Sequence, residues 1–298
     1  MKNTLLRPFY FVALSALVLT ACGDGNEGAG NEIDDEVFDP NSSINTVFDG
    51  KIFSIPSPIQ TAYFIKEMNL PFNEKLLNDD QKTGKYVDEY SQALNLGIYG
   101  ADLAYSSIYD QKGVTLRYLS AVEKLTSQLG LSSTFDADFM KRFEKNNGNE
   151  DSLVILMSDA FSKADNFLKS ANRKSTSALV LTGGWLEMIY FATELNANKS
   201  SDNIVRRIGE QKETLNSIIA ILAEYNSKKQ NDELIDQLRS LQKSFEKITI
   251  NYQYSAPETD SDKQITTFHH TLEVSAPAGA IEEIKTKVKE IRANIIKG

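Results

Sequence analysis

Asn95, Tyr99, Asp102, Ser106 and Tyr109 follow one another at spacings of four, three, four and three, so a helix aligns them into one polar and aromatic stripe. Glu187, Tyr190 and Glu194 repeat that arrangement further along the chain. If the two stripes face each other, tyrosine rings and hydroxyls can hold a small polar ligand or glycan while Asp102 or Glu187 fixes its charge. Asn95, Tyr99, Asp102, Glu187 and Tyr190 are therefore the candidate ligand-binding residues. The competing expectation puts the tyrosine hydroxyls at the rim of a helix interface, with the acids exposed or paired with Arg117 or Arg173.

Other chemistry is excluded by what the chain lacks. It has two histidines and one cysteine in 298 residues, too few for a disulfide framework, a zinc ribbon or an iron–sulfur cluster. His269 and His270 are adjacent, so in a strand they point to opposite faces and cannot share a metal. There is no Gly-x-Ser-x-Gly elbow and no His-Glu-x-x-His helix. The stretch from Asp79 to Tyr90 places Gly84 where a calcium loop needs glycine, but has Gln81 and Thr83 in place of the acids and Tyr90 in place of the bidentate Glu. A carboxylate pair could hydrolyse a sugar, yet a chain with 41 acids contains such pairs by chance. We expect no catalytic residue, no metal and no cofactor.

The elements that must position the stripes read as helices. Apolar residues recur at three- and four-residue spacing over about 57–68, 86–109, 114–129, 135–143, 151–170, 174–196, 202–225, 232–247 and 277–296. Links this short place successive helices antiparallel. The expected fold is all-α, a multi-helix antiparallel bundle of about eight helices. The period drops to two at 248–254 and 267–274, which predicts one short β-ribbon near the C-terminus with an exposed turn region at 255–264. Gly97, Gly100, Gly183 and Gly184 lie inside helical segments, where glycine is unfavourable, and close helix contact is the ordinary reason. No strand precedes either glycine pair, as a phosphate-cradling loop requires.

Ahead of this domain, Lys2 and Arg7 precede an apolar run from Phe9 to Leu19. At roughly 11 residues the run suits a signal peptide over 1–21 and is too short for a membrane span, which takes about 20. Leu19-Thr20-Ala21-Cys22 resembles the lipobox of bacterial lipoproteins at all four positions. That resemblance implies cleavage before Cys22 and attachment of fatty acyl chains such as palmitate, two or three of which make a stable membrane anchor. Residues 22–50 then read as the lipidated cysteine and an acidic flexible tether, with eight acids and no Lys or Arg. Acids soon after such a cysteine, here Asp24 and Glu27, resemble in part the surface-export signal of Bacteroidota lipoproteins.

The whole chain carries a net charge of -9; without residues 1–21 it has 30 bases against 41 acids, and residues 51–298 retain only -3. A nearly neutral domain has no basic face for nucleic acid. The segments 93–103 and 183–187, with the long helices around them, resemble uncharacterised helical lipoproteins of Bacteroidota, a likeness that implies no activity. The first functional expectation is a cell-envelope protein, lipid-anchored to the outer membrane on its periplasmic face or the cell surface, whose 51–298 domain binds or scaffolds an envelope protein partner. The alternatives are a ligand-capturing lipoprotein and a carboxylate-based hydrolase or lyase.

Overall fold

A computed structural model describes residues 44–49, 51–55, 62, 65–66, 70–146, 148–198, 202–260, 265–267 and 271–298. The expected signal peptide, the lipobox, most of the tether and the His269–His270 pair lie outside the described residues. Eight α-helices are present among those described: α1 (Glu89–Ile108), α2 (Lys112–Gln128), α3 (Ala137–Asn146), α4 (Glu150–Ser170), α5 (Lys174–Asn198), α6 (Asp202–Glu224), α7 (Asp232–Phe245) and α8 (Ala280–Lys297). The fold is the expected all-α bundle with a short ribbon near the C-terminus. Of the helix expected at 57–68, Ala62, Ile65 and Lys66 are described, and all three are helical.

The helix ends follow from local chemistry. Asp88 caps α1 by accepting the Ser91 N–H at 2.8 Å, and Asp136 caps α3 by accepting the Phe139 N–H at 2.8 Å. The final helix starts at Ala280, three residues later than its sequence suggests. Pro277 instead closes a turn by accepting the Ala280 N–H, and Gly279 adopts the left-handed φ of 84° that ends the turn.

The centre is the pair α1 and α5. Every residue of α1 from Gln92 to Ile108 is buried, and a helix buried all round needs neighbours on every side. The closest neighbour is α5. A Cβ on Gly97 would lie 2.1 Å from the Val180 carbonyl oxygen, and one on Gly183 would lie 2.0 Å from that of Leu94. The two backbones therefore touch, and only glycine permits it. Gly100 makes room for the ring of Phe161 in the same way.

Three β features accompany the helices. Strand β1 (Ile44–Phe48) pairs antiparallel with β2 (Lys51–Ile55), with Phe48 opposite Lys51. This corrects the tether boundary: residues 44–49 belong to the folded body, and Phe48 is buried against the Tyr225 ring at 5.7 Å. The cause is the Asp49-Gly50 pair between apolar residues, a strong hairpin signal that an acid count over the whole stretch obscures. Near the C-terminus β3 (Thr249–Gln253) pairs with β6 (Thr271–Ser275), and β4 (Glu258–Asp260) pairs with β5 (Ile265–Thr267). Part of the expected turn region thus extends the ribbon. Ile248 is buried at its base, where Gly209 of α6 leaves space for Ile248 and Val274.

Gly97→Ala or Gly183→Ala should destabilise the protein by at least the ~1–3 kcal/mol usual for overpacking, because the new methyl meets backbone that cannot rotate away. Gly113→Ala, with open space at the first turn of α2, should be neutral or stabilising by up to ~1 kcal/mol. Urea denaturation of the three variants measures the contrast.

Candidate functional site

The α1–α5 crossing brings the two predicted stripes together. Asp102 and Glu187 are both fully buried and meet a third charged group, Arg292 of α8, which is 7% exposed. Arg292 donates through Nε to Glu187 Oε2 at 2.5 Å and through Nη2 to Oε1 at 2.6 Å. Such a fork-to-carboxylate pair fixes both direction and distance. Nη2 also donates to the Leu76 carbonyl at 3.1 Å, and the guanidinium lies 4.2 Å from the centre of the Tyr190 ring.

Glu187 and Asp102 therefore do not pair with Arg117 or Arg173. Arg117 bridges Glu74 and Asp80, while Arg173 bonds Glu89 and the Leu129 carbonyl. By its charge alone, Arg292 reads as lying off the apolar face of the last helix. Its spacing held the missed signal, because Ile284, Val288 and Arg292 recur every four residues along the buried face.

The tyrosines have a definite task. Tyr99 donates to the Asp79 carbonyl at 2.8 Å, Tyr109 to that of Leu70 at 2.7 Å and Tyr118 to that of Asn78 at 2.5 Å. The Tyr105 hydroxyl accepts the Asn73 N–H at 3.2 Å, and Asp102 Oδ2 accepts the Asn78 N–H at 3.2 Å. All five contacts grip the backbone of one segment, 70–79, which runs as a strap across α1 and α2. It turns through a short 3₁₀ piece, Glu74–Leu76, and a second, Asp80–Lys85, follows it; Asn73 and Asp79 begin them with side chains that accept backbone N–H groups. Of the candidate ligand-binding residues, Tyr99 and Asp102 bond to this strap.

The remaining predicted residues have internal partners too. Asn95 donates to the carbonyls of Ser91 and Ile295, which ties α1 to the last turn of α8. Ser106 donates to Leu103 within its own helix. Glu194 pairs with Lys285 at 3.4 Å and Lys289 at 3.9 Å. The end of α8 is held further by Tyr86 and Lys85, which donate to the Ile296 carbonyl at 3.3 and 3.4 Å. These donors satisfy carbonyls that a helix end leaves without intrahelical partners.

Burial dominates the electrostatics. It pushes the Asp102 carboxyl well above the ordinary range; the charge of Glu187 adds to this, and Arg292 opposes it. Burial alone would weaken the charged form of Arg292, but the Glu187 carboxylate more than offsets it and holds the guanidinium charged. Burial likewise raises Tyr99, Tyr109 and Tyr118, so their hydroxyls stay neutral donors. Chemically, the arrangement can lock four parts of the chain together: α1, α5, α8 and the strap.

No family model, curated protein or solved structure matches the chain. Among the described residues, no group of three or more His, Cys, Asp or Glu is placed to hold a metal ion. No helix among them is long and apolar enough to cross a membrane.

Arg292→Met should destabilise the protein by about 3–5 kcal/mol, because it leaves Glu187 buried and unpaired. Adding Glu187→Leu should recover part of that loss, since an apolar pair removes the uncompensated charge. Chemical denaturation of the single and double variants gives the coupling directly.

Proposed function

We propose that this is a lipid-anchored protein of the cell envelope, held through acyl chains on Cys22, whose helical domain binds or scaffolds a protein partner and performs no catalysis. The order of basic residues, apolar run and lipobox supports the anchor. The fate of the polar stripe is the single observation that supports binding at the outer surface over capture of a ligand within the bundle. Asn95, Tyr99, Asp102 and Glu187 all spend hydrogen bonds on the chain's own backbone or side chains.

The surface offers a different kind of feature. Tyr252, Tyr254 and Ile265 on the ribbon are 57%, 72% and 54% exposed. Each described ribbon sheet has two strands, the kind of element that an extended segment of another chain can lengthen by strand addition. Exposed tyrosines suit a protein contact because they present a large apolar area with few rotatable bonds.

Recovery of the full-length protein from its native envelope, beside Cys22→Ala and Tyr252→Ser/Tyr254→Ser variants, tests this reading. The wild type should fractionate with membranes and retain a stoichiometric protein partner. Cys22→Ala should appear in the soluble fraction, and the tyrosine variant should stay anchored but lose its partner. Membrane retention of Cys22→Ala would overturn the anchor. A glycan or metabolite retained without any protein partner would overturn the scaffold reading.

A further inference from the structure

The Asp102 carboxyl lies at the junction of α1, α5, α8 and the strap, with no exposed surface. Its Oδ2 accepts the Asn78 N–H, but no donor reaches Oδ1. The carboxyl of Glu187, equally buried, acts on Asp102 through its charge and through a side-chain hydrogen bond. Two ionised carboxylates cannot bond to each other, since both only accept. One of the two must carry a proton.

Geometry says which. Both oxygens of Glu187 receive N–H groups from Arg292, the pattern of an ionised carboxylate. Asp102 receives one neutral backbone N–H and has a free oxygen. Charge balance agrees: one guanidinium neutralises one carboxylate, and a second buried negative charge would have no counter-ion.

Among the described residues, the titratable groups facing Asp102 from the surrounding elements supply no other cation. They are Glu187 and Tyr190 of α5, Arg292 of α8, Tyr118 of α2 and Tyr99 of its own helix. The tyrosines are neutral, and the strap presents only the Asn78 amide. We infer that Asp102 keeps its proton in the folded protein and donates it from Oδ1 to Glu187, making the Asp102–Glu187–Arg292 cluster a neutral, proton-dependent clamp on the strap and the C-terminal helix.

The clamp responds to pH with a definite sign. In the unfolded chain Asp102 ionises at the ordinary carboxylate value; in the folded protein it does so only at higher pH. Between those two values folding takes up one proton. The contribution to stability is therefore fully present below the ordinary carboxylate value and declines as pH rises toward the folded value. Acid tightens the clamp, in contrast to the usual salt-bridged carboxylate, which acid loosens.

Asp102→Asn imitates the protonated acid. Its amide oxygen can accept the Asn78 N–H while its NH₂ donates to Glu187, and it does not titrate. Denaturation of full-length wild type and Asp102→Asn across a pH series isolates this group, because every other acid is common to both. The folding constant of the variant relative to wild type should rise with pH above the ordinary carboxylate value, by up to about tenfold per pH unit. A ratio that is flat, or that falls with rising pH, overturns the proposal. If the variant does not fold, infrared spectroscopy of wild type with isotope-labelled aspartate decides. A neutral-acid carbonyl band at neutral pH, lost on unfolding, supports the proton, and its absence refutes it.

Discussion

The contact between the backbones of α1 and α5 is the constraint on which the rest of the structure depends. A side chain at Gly97 or Gly183 would overlap the facing backbone and push these helices apart. At the observed separation, Asp102 and Glu187 share one enclosed space that Arg292 of α8 can also enter. The glycines are unfavourable in a helix, and the ionisable groups are unfavourable in a core. Each is tolerated because the other completes it: close approach allows short, fully directed bonds, and those bonds satisfy charges that have left water.

The cluster also explains how a segment with little helical character becomes part of the core. Residues 70–79 contain Pro71 and turn residues, so they cannot satisfy their own backbone groups as a helix does. Tyrosine hydroxyls from α1 and α2, one carboxyl and one guanidinium supply the missing partners. Tyrosine is suited to this work because its ring packs in the core while its hydroxyl reaches a carbonyl at the edge. The last turn of α8 and the strap are thus both fastened to α1.

Much of this was legible in the chain. The three- and four-residue spacing located the eight described helices, and the unfavourable glycines marked the close crossing. Tyr99, Asp102 and Glu187 stood out correctly as one polar set. What they grip did not stand out, since a strap recognised through its backbone leaves no side-chain pattern. Arg292 escaped because a charged residue on a helix reads as solvent-facing, although its four-residue spacing from Val288 follows the buried row. The β1–β2 hairpin escaped because a count of acids averages over the Asp-Gly turn that makes it.

The central claim is that the polar stripe is an internal clamp on the strap. Hydrogen exchange of the full-length protein, followed at the Asn78 amide, tests it most directly, because that N–H bonds the strap to Asp102. The account predicts protection close to that of the α1 amides, since releasing the strap requires breaking the cluster. Rapid exchange at Asn78 beside slow exchange in α1 would contradict it, and would leave the tyrosines and acids open to a ligand.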